Sequence, residues 1–142
     1  MSYQLIFFLN TFSSFFLMGV IWCVQLVHYP SFRYTDEENF PLFHRQHSLR
    51  IGLIVAPVML LELITSTLLF LTEHWFSFNS IGFYLVLLIW ISTALLSVPL
   101  HSKLRKEKKS SLINRLVYTN WVRTLLWTAK SAINFWVLLT IL

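Results

Sequence analysis

The stretch Ile81–Leu100, IGFYLVLLIWISTALLSVPL, runs directly into His101–Lys109, HSKLRKEKK, and this junction decides how the rest of the chain is read. The first part is twenty residues without a charge, which in α-helical form is the length that crosses a bilayer core of about 30 Å. The second part packs Lys103, Arg105, Lys106, Lys108 and Lys109 against the end of that run. A dense basic cluster at one end of an apolar helix is the pattern that fixes membrane orientation. Working outward, three more stretches have the same character: Leu5–Val27, Ile51–Thr72 and Trp121–Leu142. The expectation is an all-α fold, one integral membrane domain over residues 1–142, built as a bundle of four transmembrane helices.

Composition agrees. Of 142 residues, 56% are hydrophobic, 17% aromatic and only 12% charged, a balance outside the range of ordinary soluble domains. Three glycines and four prolines speak against disorder or a β-rich fold. The net charge of +5 does not read as a nucleic-acid signal, because the basic residues sit at helix ends. Cys23 is the single cysteine, so no internal disulfide, CxxC redox motif or thiolate zinc site exists. A lone thiol inside an apolar segment is expected to be buried. The first segment lacks a basic leader and a small-residue cleavage site, so it reads as a retained helix.

Orientation follows from Lys and Arg. Arg33, Arg45 and Arg50 lie between the first two segments. Arg115 and the 103–109 cluster lie between the last two, and Glu73–Ser80 carries none. The positive-inside rule therefore puts both basic loops in the cytoplasm and both termini outside, in what is read as a bacterial inner membrane. In the long first loop, His28 to Arg50, Thr35 followed by Asp36-Glu37-Glu38 predicts a short capped helix. Phe40, Leu42 and Phe43 give it an interfacial face. Ser110–Val117 is expected to begin the last helix early.

Polar residues inside apolar helices are costly, and their spacing carries information. Arg123, Trp127, Lys130 and Asn134 share one face of the last segment, with Asn120 about 60° away. Ser14, Met18, Trp22, Gln25 and His28 align on the first segment, and Trp90, Thr93, Ser97 and His101 on the third. Glu62 lies as deep in the second segment as Lys130 in the fourth, so an antiparallel bundle pairs them. Pro57, one turn earlier, is expected to kink the helix. The resulting picture is a bundle whose cytoplasmic half holds a wet or ligand-filled pocket.

Topology brings His28, His44, His47 and His101 to that same side, and leaves His74 on the other. His44 and His47 share a helical face and, with His28, His101 and the Glu62 carboxylate, form a candidate ligand set. Imidazole suits iron, copper or zinc, mixed His/Glu sites in helical bundles suit iron or manganese, and two histidines on opposite helices suit haem. The same imidazoles, with Glu62 as relay, suit acid–base catalysis. Arg123, with Asn120 and Trp121, offers donors for a carboxylate, phosphate or phenolate, and Gln25 and Lys130 extend that candidate substrate site.

Two short motifs point to a family. Val98-Pro-Leu-His-Ser-Lys-Leu104 followed by Asn120-Trp-Val-Arg-Thr124, with Pro30 and Pro57, resembles the anthrone-oxygenase-like family of small four-helix membrane proteins. The chain departs from the family pattern at His101, where the common residue is Asn, and in Val27-His-Tyr-Pro30 and the His44/His47 pair. It is similar to a histidine-rich bacterial branch. The resemblance implies oxidation of a polycyclic phenolic substrate by oxygen. The reading is thus an oxidoreductase in the bilayer, acting on an apolar aromatic or lipid-like substrate through His28, His101 and Glu62. Two rivals stand beside it. One is a binding protein or proton-coupled transporter using Glu62 and Lys130, as a homo-oligomer. The other is a structural subunit of a larger membrane complex.

Overall fold

The computed structural model describes residues 2–141. They form four long helices: α1 (Tyr3–Tyr34), α2 (Phe40–Thr72), α3 (Phe78–Leu104) and α4 (Ser110–Ile141). No strand occurs among the described residues. α1, α2 and α3 are each long and apolar enough to cross a membrane. α4 is equally long, at 32 residues, but carries Arg115, Arg123 and Lys130. Its expected last residue, Leu142, lies outside the described residues.

Caps set the helix starts. The Ser2 hydroxyl accepts the Leu5 amide at 3.4 Å, and the Ser77 hydroxyl accepts the Ser80 amide at 3.1 Å, each satisfying one of the amides a helix start leaves unpaired. α1 packs against α2 and α4, and α3 against α2 and α4, so the helices form a closed ring around one core. The connections are short, at 35–39, 73–77 and 105–109, and each helix runs antiparallel to the one before it. Side-chain contacts tie the ends together. The guanidinium of Arg33 donates to Asn114 Oδ1 at 2.9 Å, and Lys108 donates to the Thr35 carbonyl at 2.5 Å, joining the two basic loops. At the opposite end Tyr3 Oη donates to Glu73 Oε1 at 2.7 Å.

The distribution of polarity is the reverse of a soluble protein's. Leu53, Leu71 and Leu95 are about 70% exposed or more, whereas Lys130, Glu62, Asn10 and Asn134 are 3% or less. An apolar exterior around a polar interior fits hydrocarbon as the solvent.

Three expectations change. The interfacial helix capped by Thr35 is absent: residues 36–39 form a turn and α2 starts at Phe40, with Pro41 in its first turn, running unbroken to Thr72. The Phe40 amide bonds to the Asp36 carbonyl at 3.0 Å, and a proline at a helix start loses no intrahelical bond. The long first loop is therefore mostly helix. Pro57 lies inside this helix, which runs through it without interruption. Finally, Cys23 is exposed rather than buried: a thiol is apolar enough to face hydrocarbon, so burial rules learned in water do not apply to it.

Local irregularity falls in two matching places. Val24–His28 and Thr93–Ser97 are π-helical turns, closed by Tyr29 N–H to the Val24 carbonyl and by Val98 N–H to the Thr93 carbonyl. Each ends one residue before the position preceding a proline, Pro30 or Pro99. A proline ring clashes with the carbonyl four residues earlier, and the wider turn moves that carbonyl aside.

Candidate functional site

Two polar centres lie along the bundle. The deeper one joins α1, α2 and α4 around Glu62 and Lys130, whose ion pair spans 3.3 Å with both side chains buried. Ser14 Oγ donates to Glu62 Oε1 at 2.9 Å and Trp127 Nε1 to Oε2 at 3.0 Å. Lys130 Nζ donates to Asn10 Oδ1 at 2.9 Å and Ser14 Oγ at 2.6 Å. Asn134 donates to the same two acceptors, and Asn10 Nδ2 donates to Thr65 and Ser66 hydroxyls on α2. Every charged atom of the pair has partners, as a buried pair requires to offset its desolvation. Gly82 of α3 backs the lysine: an added Cβ would stand 3.9 Å from Lys130 Cε. Asn10 went unnoticed in the sequence, although its signal was present. It sits four residues before Ser14, on the same helical face, within a largely apolar segment.

The second centre lies at the basic end. Tyr29 Oη and His101 Nε2 are 2.8 Å apart, and His101 Nδ1 and His44 Nε2 are 3.0 Å apart. In each contact one atom must carry the proton and the other the lone pair. Tyr29, His101 and His44 therefore form a three-member hydrogen-bonded chain across α1, α3 and α2. The rings of His28 and His47 stack beside it, with centroids 4.0 Å apart and a tilt of 31°. Phe32, wholly buried, fills the space between, meeting His28, His44 and His47 edge-on at 5.3–5.6 Å. Phe32 thus packs the space among these three rings.

Several buried atoms here lack partners: Nε2 of His28, Nδ1 of His44 and Nε2 of His47. The first and last belong to rings lining a groove of about 820 Å³ on the α1/α2 flank. Its walls are Phe15, Phe16, Val20, Val27, Phe43 and Ile54, with Gln46 and Arg50 at the histidine end. An orphaned imidazole nitrogen beside an apolar groove is a hydrogen-bonding point for a ligand whose body is apolar.

The four histidines expected at one end do converge, but not as a ligand set. Among the described residues no three His, Cys, Asp or Glu side chains are arranged to hold a metal. His44 and His101 direct nitrogens at each other, and His101 directs its other nitrogen at Tyr29, so these two rings do not converge on a shared metal position. Glu62 does not join it either. It lies fifteen residues beyond His47 on one continuous helix, roughly 22 Å along the axis, and is bonded to Ser14, Trp127 and Lys130.

The expected substrate residues also separate. Asn120 Nδ2 donates to Gln25 Oε1 at 2.8 Å, holding both inside the bundle. Trp121 faces outward, edge-on to Trp22 with centroids 5.6 Å apart. Arg123 donates to Ser97 Oγ at 3.1 Å and lies over the Trp127 ring at 5.7 Å. Lys130 belongs to the deeper ion pair. Tyr29 and Phe32 were missed because a tyrosine and a phenylalanine beside a proline look like interfacial anchors until the wide turn is known.

At the far end, Glu73 accepts from Tyr3 and from Asn79, the latter at 2.6 Å. Burial pushes its carboxyl up, but hydrogen bonds from Ser77, Tyr3 and Asn79, with His74 nearby, outweigh this and hold it below the usual carboxylate range. His74 stands at this end, away from the other four histidines, and lines a separate groove of about 1060 Å³. No family model matches the chain, and no curated protein or solved structure matches it.

Proposed function

We propose that the protein is a four-span integral membrane protein, with both basic loops in the cytoplasm and both termini outside. On this reading it binds an apolar aromatic or lipid-like molecule bearing a hydroxyl in the α1/α2 groove. The observation that carries the reading is the pair of buried, unpartnered Nε2 atoms of His28 and His47 on rings that line that groove. An unpaired buried polar atom costs about 1–3 kcal/mol, and a ligand hydroxyl removes that cost while its body covers the phenylalanines. A phenol is the favoured head. It donates to an imidazole nitrogen, and a neutral imidazole can take its proton as general base. The phenolate is the electron-rich form on which oxidation by dioxygen, the chemistry implied by the anthrone-oxygenase-like resemblance, would act. Arg50 at the same end favours that negative charge. The transporter reading is less well supported, because Glu62 and Lys130 are sealed and fully bonded.

The test uses the purified chain in mild detergent, a long-chain 4-alkylphenol and its methyl ether. The phenol is expected to bind at least tenfold more tightly, and His28→Ala/His47→Ala to abolish the difference. Equal affinity for the ether would sink the site. Oxygen uptake on adding the phenol separates an oxidase from a binding protein.

A further inference from the structure

The groove at the opposite end has a different chemistry. It lies between the first turns of α1, the 73–79 segment and the last turns of α4, and has a volume of about 1060 Å³. Phe8, Phe12, Phe76 and Phe78 wall it, each more than half exposed. Glu73 lines it and is the one side-chain carboxylate at this end of the bundle among the described residues, since the remaining acidic residues lie at the basic end or at the central pair. Tyr3 and Asn79 hold that carboxylate in place. Among the described residues no Lys or Arg lines the groove. Its wall also includes Thr11, whose buried hydroxyl has no partner. A threonine inside a helix ordinarily bonds back to the carbonyl four residues earlier, as Thr65 and Thr67 do here at 2.7 and 2.8 Å.

A fixed carboxylate and aromatic faces without Lys or Arg make a site of negative character, with the His74 imidazole the one titratable base on its wall. Aromatic rings attract cations through their quadrupoles, and the carboxylate supplies the counter-charge. From this charge complementarity we infer that the groove is a binding site for a hydrophobic organic cation, a quaternary ammonium or phosphonium on an aromatic body. A phospholipid is the poorer occupant: its phosphate would find no Lys or Arg among the lining residues. The site is independent of the α1/α2 groove, since the two share only Phe15.

Tetraphenylphosphonium is the probe and tetraphenylborate, of the same shape and opposite charge, the control, both titrated calorimetrically into the whole chain in uncharged detergent. Saturable binding of the phosphonium is expected, with the borate at least tenfold weaker. Glu73→Gln should weaken phosphonium binding about tenfold. Gln4→Lys places a cation among the lining residues without touching the Tyr3–Glu73 bond, and it should weaken binding similarly, so the inference stays testable if the first variant fails to fold. His28→Ala/His47→Ala should leave it unchanged, which separates this site from the phenol site. Equal binding of the borate overturns the inference, as does phosphonium affinity untouched by Gln4→Lys, or a co-purifying phospholipid that the phosphonium does not displace.

Discussion

At the scale of single residues, the central question is what a buried Lys130 and Glu62 contribute. Each has its charge satisfied by the other and by neutral groups on α1, α2 and α4. Removing one partner leaves an uncompensated charge in a sealed interior, which costs about 3–5 kcal/mol. Replacing both with apolar residues of similar volume removes the desolvation penalty as well as the attraction. Thermal or denaturant unfolding in detergent is expected to show Lys130→Met and Glu62→Leu each strongly destabilised, and the double variant restored to within about 1–2 kcal/mol of the parent. A double variant as unstable as the sum of the singles would mean that the pair carries an obligatory charge rather than a structural contact. The sequence disclosed both charges, their depths and Ser14 on a polar face of the first segment, but not that Asn10 and Ser14 satisfy them, because a partner is a property of two helices.

At the scale of elements, the two π-helical turns decide where the histidines point. Each adds one residue to a turn just before a proline, which rotates everything downstream by about 100° relative to a regular helix. Helical spacing alone therefore misplaces His28 and His101 with respect to the residues one turn before them. Pro99→Ala removes the ring that the wide turn accommodates. α3 is then expected to relax to regular α-helix and turn His101 away from Tyr29 and His44. Histidine ring ¹⁵N spectra should lose the signature of the hydrogen-bonded pair, and stability should fall by about 1–3 kcal/mol for the buried atoms left unpaired. Unchanged ring spectra would show that packing around Phe32, not the proline, holds the wide turn.

At the scale of the whole molecule, the alternation of four antiparallel helices puts both basic loops at one end, where Arg33 and Lys108 cross-link them. With Cys23 replaced by serine, Ser110→Cys and Ser77→Cys report opposite ends of the bundle. In intact cells an impermeant thiol reagent is expected to label position 77 and not 110. The reverse pattern, or labelling of both, would overturn the proposed orientation.

By itself, the amino-acid sequence determined the helical class, the number of long helices, the end at which charge collects, and the depth match between Glu62 and Lys130. All of these depend on composition and spacing along one chain. Only the tertiary structure decided that His44 and His101 join Tyr29 in a hydrogen-bonded chain while His28 and His47 pair beside Phe32, that Trp121 and Cys23 face outward while Gln25 and Asn120 face each other, and that one large groove lies on the α1/α2 flank and another at the opposite end of the bundle. The physical reason is that a side chain's partners depend on helix rotation. One extra residue in a turn resets that rotation, and helical periodicity read along the chain carries no record of it.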